Sequence, residues 1–126
     1  MADTLSIRRI GIIGTGRVAR ALALDPELLF LDEPTSGIDP LARRAFWRTI
    51  TALSQAGVTV VVTTHFMEEA EYCDRIAIQD AGRLLAIGTP RQVREESGLD
   101  GGHMNEAFIA IVEKARAEEG QAREAA

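Results

Sequence analysis

The sequence predicts an α/β fold: a partial parallel sheet with flanking helices, followed by a C-terminal β-hairpin and further helices. Three observations carry that expectation. Residues 28–31 and 58–63 are strand-sized apolar or β-branched runs, the pattern of strands covered on both faces. Between them Ala42, Phe46, Ile50 and Leu53 recur at helical spacing, so strand, helix and strand form a parallel βαβ unit. Further along, two short apolar stretches flank Asp80-Ala81-Gly82, a hairpin signal.

Taken in order, residues 7–13 read as a first strand, broken by Gly14-Thr15-Gly16 and followed by helix formers to Leu24. Asp25-Pro26 ends that helix, because the residue before a proline is pushed out of the helical region. The second strand ends in Pro34-Thr35-Ser36-Gly37, a loop. Asp39-Pro40 then opens a helix, a capping carboxylate followed by proline in the first turn, and Gly57 stops it. After the third strand a short helix over about 67–73 leads into strands at 75–79 and 83–87. Thr89-Pro90-Arg91-Gln92 carries the capping-box pattern of a helix start. Residues 97–103 form a glycine-bearing connector. The last helix presents Phe108, Ile111, Val112 and Ala115 on one face, with a frayed polar end from Glu118.

A chain of 126 residues with 46% apolar and 26% charged residues suffices for one globular domain. Its net charge of −5 argues against a general binder of nucleic acid or anionic membranes. No apolar run approaches the ~20 residues of a membrane helix, and no signal-peptide pattern opens the chain, so a cytoplasmic protein is expected. Cys73, the single cysteine, cannot form an intrachain disulfide and reads as a small packed residue. His103 reads as solvated. Phe46 and Trp47 are adjacent and cannot both face one side of a helix, so one is expected at a contact surface. Thirteen of the fourteen basic residues are arginine; the one lysine, Lys114, is followed by Ala115. A phosphate-binding P-loop requires Gly-x-x-x-x-Gly-Lys followed by Ser or Thr, so the chain lacks that loop.

Asp32-Glu33 closes the second strand. Two carboxylates at the carboxyl end of a buried parallel strand lie where α/β proteins bind ligands. One carboxylate can hold Mg²⁺ directly or through water, and its neighbour can orient or deprotonate an attacking water. Adjacent acids repel, which a bound cation or a wet cleft relieves. The alternative is that Asp-Glu merely begins a polar loop. Ser36-Gly37-Ile38-Asp39 follows within a few residues, and the third strand runs into Thr64-His65. A histidine at that strand end points toward the same crevice and can donate to a phosphate oxygen or to a water.

With these residues in view, residues 19–118 resemble the C-terminal half of an ABC-transporter ATP-binding subunit. The matching text is Ala19-Arg20-Ala21-Leu22-Ala23, Leu28 to Pro34, Thr35-Ser36-Gly37-Ile38-Asp39 and Thr63-Thr64-His65. Asp74-Arg75-Ile76, Gly82-Arg83-Leu84 and Ile87-Gly88-Thr89-Pro90 extend it. Phe66 to Glu71 is similar to the multidrug- or ion-exporter branch. The resemblance implies a P-loop NTPase-like sheet, and ATP and Mg²⁺ as cofactors. It implies Asp32 as the Walker B aspartate holding Mg²⁺ through water, and Glu33 as the catalytic glutamate. Asp39 would sit in the D-loop, reaching across a head-to-tail dimer, and His65 would be the switch histidine at the γ-phosphate. It further implies a membrane permease and a second ATP-binding subunit as partners, and a peripheral place at the inner face of the cell membrane, without insertion.

Three family elements are missing: the Walker A loop, the glutamine-bearing loop and the Leu-Ser-Gly-Gly signature. The signature position falls near Arg8-Arg9-Ile10-Gly11, which does not match. In its place stands Gly14-x-Gly16-x-x-Ala19 after a strand, a dinucleotide-binding fingerprint, so an NAD(P)-binding Rossmann-type fragment is the alternative. A third reading is a non-catalytic module docking on an intact ATP-binding subunit. The expected organisation is an atypical strand and Gly-rich turn at 1–18, the C-terminal half of an ATP-binding domain at 19–96, and a connector and helix at 97–126. An N-terminally truncated or fused chain of this kind is expected to hydrolyse negligible ATP alone.

Overall fold

Three parallel strands lie side by side in chain order: β1 (Ile10–Ile13), β2 (Leu28–Asp32) and β3 (Thr59–Thr63). The structure, a computed structural model, describes residues 10–13, 27–99 and 101–125. The expected strand start at 7–9, the helix to Leu24 and the Gly14, Gly16 and Ala19 fingerprint lie outside the described residues. Leu28 pairs with Thr59, Leu29 with Val60, Phe30 with Val61, Leu31 with Val62 and Asp32 with Thr63, so β2 and β3 end level with each other.

Helix α1 (Pro40–Gln55) connects β2 to β3 and packs against β3, completing the expected βαβ unit. Asp39 stays extended at φ −73° and ψ 163°, and its Oδ1 accepts from the Ala42 N–H at 2.9 Å. Pro40 follows in the first turn, where the missing N–H costs no helical hydrogen bond. Past the end, Gly57 takes φ 99°, and Val58 N–H returns to the Leu53 carbonyl at 3.1 Å.

Two expectations about this unit are corrected. Both strands were expected to be covered on both faces. Burial instead follows one face: Leu29 and Leu31 are 0% and 2% exposed, while Phe30 and Val61, paired on the other face, are 39% and 40% exposed. An unbroken apolar run records what a strand can bury, not what is present to cover it. On α1, Ala42 is exposed, and the buried positions are Trp47 and Ile50. Phe46 is half-buried, and its ring meets Trp47 edge-on at 5.6 Å between centroids.

The chain divides between His65 and Phe66 into two compact units. The second starts with the expected short helix, which takes 3₁₀ form over Met67–Tyr72. β4 (Ile76–Asp80) and β5 (Arg83–Gly88) form the expected antiparallel hairpin. Its two-residue turn holds Ala81 at φ 50° and Gly82 at φ 74°, both left-handed, as the twist of a tight hairpin demands. A register shift at Ile78/Gln79 leaves Leu85 without an opposite residue.

Helix α2 (Pro90–Glu96) carries the expected capping box. Thr89 Oγ1 accepts from Gln92 N–H at 3.1 Å, and Gln92 Oε1 accepts from Thr89 N–H at 2.9 Å. Gly88 makes room for this, since a Cβ there would stand 2.7 Å from Gln92 Oε1. Helix α3 (Met104–Ala125) closes the unit. Ile78, Ala86, Val93, Met104, Ala107 and Val112 form the core, with Phe108 and Ile111 packed against it. Met104 and Ala107 extend the expected apolar face by about one turn, while Ala115 is only half-buried. The end from Glu118 is helical to Ala125, not frayed. Charges fasten it: Arg116 forks onto both Asp80 carboxylate oxygens at 2.8 Å, and Arg83 lies 3.9 Å from Glu119. Among the described residues no helix is long and apolar enough to cross a membrane.

Candidate functional site

The site is built at the level ends of β2 and β3. Asp32 and Thr63 are register partners on one face, and the Thr63 hydroxyl donates to Asp32 Oδ1. Glu33 follows at φ 43°, a left-handed conformation that costs a residue with a Cβ about 1–2 kcal/mol. That kink stops the alternation of the strand, which would have sent Glu33 away from Asp32. Glu33 N–H donates to Thr63 O at 2.9 Å and to Thr63 Oγ1 at 3.2 Å, bridging the two strand ends. On its other side the Glu33 carbonyl accepts from Ser36 N–H at 3.2 Å, closing a turn with Pro34 at its second position.

Redirected in this way, Glu33 Oε1 lies 3.2 Å from His65 Nδ1. Their side chains are 52% and 57% exposed, so the contact contributes little to stability; what it supplies is placement of an acid beside an imidazole. Of the four predicted site residues, the structure thus brings Asp32, Glu33 and His65 together. Asp39 makes a different contact, capping α1. Thr63 is the residue that sequence reasoning missed. Thr63 and Asp32 each stand four residues after the first residue of a parallel strand, a match that shows only once β2 and β3 are in register.

No trio of His, Cys, Asp or Glu gathers as a metal cage among the described residues. Mg²⁺ keeps several waters and takes one or two carboxylates with phosphate oxygens. Asp32, with one oxygen steadied by Thr63, fits such a water-mediated hold. The phosphates are a different matter. The one lysine, Lys114, lies on α3, so this chain supplies no P-loop lysine. Elsewhere, Cys73 is half-buried with Sγ 3.7 Å from the Glu69 carbonyl. Burial, with Asp74 and Glu69 nearby, pushes its thiol up, so it is no activated nucleophile.

Comparison with known proteins bears on this geometry. Residues 14–69 match a family model described as "AAA domain, putative AbiEii toxin, Type IV TA system". The Probable multidrug ABC transporter ATP-binding protein YbhF of Escherichia coli K12 is 52% identical over 101 residues, covering 76% of this chain. The Nod factor export ATP-binding protein I of Cupriavidus metallidurans is 51% identical over 85 residues, covering 66% of it. A solved ATP-binding subunit of an ABC transporter superposes with a TM-score of 0.65 at 34% identity, over 71% of this chain and 38% of that one. Over most of its length this chain is homologous to ABC-transporter ATP-binding proteins, and it shares their fold.

A second solved member, cbiO1 of Clostridium perfringens, part of the complex cbiONQ, gives a TM-score of 0.57 at 31% identity, over 63% of this chain and 32% of that one. The chain spans 18% of the length of YbhF and 28% of that of the Nod factor export protein. The expected family and the P-loop NTPase-like α/β fold are therefore met, and ATP and Mg²⁺ are the cofactors this family implies.

Proposed function

We propose that this chain carries the metal-and-water side of an ABC-type ATP-hydrolysing site and depends on a phosphate cradle it does not itself supply. Asp32 holds Mg²⁺ through water, Glu33 orients and deprotonates the attacking water, and His65 positions Glu33 and reaches the γ-phosphate. Asp39 serves a dimer-facing loop as well as capping α1. Bound Mg²⁺ supplies charge neutralisation on the phosphates. The observation that carries this reading is the 3.2 Å contact between Glu33 and His65, two residues from different strand ends that the left-handed turn at Glu33 brings together.

Within this reading residues 19–96 are the ATP-binding portion, 1–18 an atypical lead-in and 97–126 an appended connector and helix. The names of the relatives point to export, and cbiO1 belongs to a transporter complex. A membrane permease and a second ATP-binding subunit, head to tail, are accordingly the partners, at the inner face of the membrane. Phosphoryl transfer rests on positioning and electrostatics, and half of that positioning is absent here. The purified chain with ATP and Mg²⁺ is expected to release phosphate at the buffer rate, and Glu33→Gln to leave that rate unchanged. Turnover that disappears in Glu33→Gln overturns the proposed dependence.

A further inference from the structure

Two consecutive acids on a strand should point to opposite faces, yet Asp32 and Glu33 both engage β3-side partners. One atom joins the two arrangements. Thr63 Oγ1 accepts from the Glu33 N–H at 3.2 Å and donates its own proton to Asp32 Oδ1. Because one lone pair faces the Glu33 N–H, the hydroxyl proton is turned toward the carboxylate, so each bond fixes the direction of the other. The same N–H also reaches Thr63 O at 2.9 Å, which anchors the peptide next to the left-handed residue. Valine would keep the β-branched shape that suits β3, but neither bond.

We infer that Thr63 is a positioning residue whose hydroxyl aims both carboxylates: it orients Asp32 directly and, through the Glu33 peptide, holds Glu33 in the left-handed turn that places it beside His65. This rests on the proposed roles of Asp32 and Glu33, and extends them to the residue that contacts both acids. A side chain that merely filled strand volume would leave the geometry of Glu33 and His65 unmoved when replaced by one of equal shape.

The test uses the full chain and NMR. Thr63→Val is expected to move the Glu33 shifts and couplings out of the positive-φ range, and to shift the His65 ring resonances to where Glu33→Gln puts them. Thr63→Ser is expected to retain both parent signatures. A folded Thr63→Val chain that keeps Glu33 at positive φ and His65 at its parent resonances overturns the inference. Should Thr63→Val not fold, the parent decides: its Thr63 hydroxyl proton is expected to exchange far more slowly than that of free threonine, and equally fast exchange overturns the inference. Mn²⁺ tests the underlying reading separately. It is expected to broaden the Asp32 and Glu33 amides, Asp32→Asn to abolish this, and Thr63→Val to weaken it about threefold to tenfold, the worth of one hydrogen bond. Absence of broadening in the parent removes the metal role of Asp32, while the NMR geometry still decides the role of Thr63.

Discussion

At Asp39 one carboxylate caps α1 and is proposed to serve a dimer-facing loop, and substitution separates the two. As a cap it accepts from Ala42 N–H at 2.9 Å, which asparagine does equally well. Asp39→Ala is expected to cost about 0.5–2 kcal/mol in urea unfolding, and Asp39→Asn only a few tenths. A loss as large in Asp39→Asn would show that charge, not capping, matters there. Asp32, Glu33 and His65 were legible as candidates because carboxylates and an imidazole at strand ends suggest chemistry by residue type. Thr63 was not, since a threonine ending a β-branched run is what any strand would carry. Its role depends on register, and register becomes readable only once β2 and β3 are paired.

Among the elements, the hairpin turn holds a residue ill-suited to its place. Ala81 sits at φ 50°, where its Cβ crowds the backbone, and it precedes Gly82. Asparagine tolerates that conformation, so Ala81→Asn is expected to stabilise the chain by about 0.5–1 kcal/mol, read as a rise in the urea midpoint at unchanged slope. Turns and caps of this kind were legible in the sequence, the hairpin from Asp80-Ala81-Gly82 and the capping box from Thr89 and Gln92. Each is local, satisfied by residues at most three apart. The cover on β2 and β3 was not legible, because it depends on what lies across the sheet. Trp47 in place of Ala42 shows the same limit: helical spacing defines a stripe, but packing decides which residues beside it turn inward.

For the molecule as a whole, stability should follow pH through Asp80. The hydrogen bonds from Arg116, reinforced by its charge, hold the Asp80 carboxyl below its ordinary value of 3.8. A carboxyl depressed in the folded chain contributes fully above its unfolded value, and that contribution is lost as pH falls through the folded one. The melting temperature of the parent is therefore expected to exceed that of Asp80→Asn at pH 7, and the gap to close below about pH 3.8. A constant gap would count against the pair. For this pair there is no matching limit on the alkaline side. Beyond the exposed Glu33–His65 contact, the described ion pairs draw their positive charge from arginine. Guanidinium does not surrender its proton in any solution a protein survives, and Asp80 raises that threshold further for Arg116. With lysine in these places, strong base would strip the clasp on α3 as surely as acid does. The arginines leave it vulnerable from one direction only.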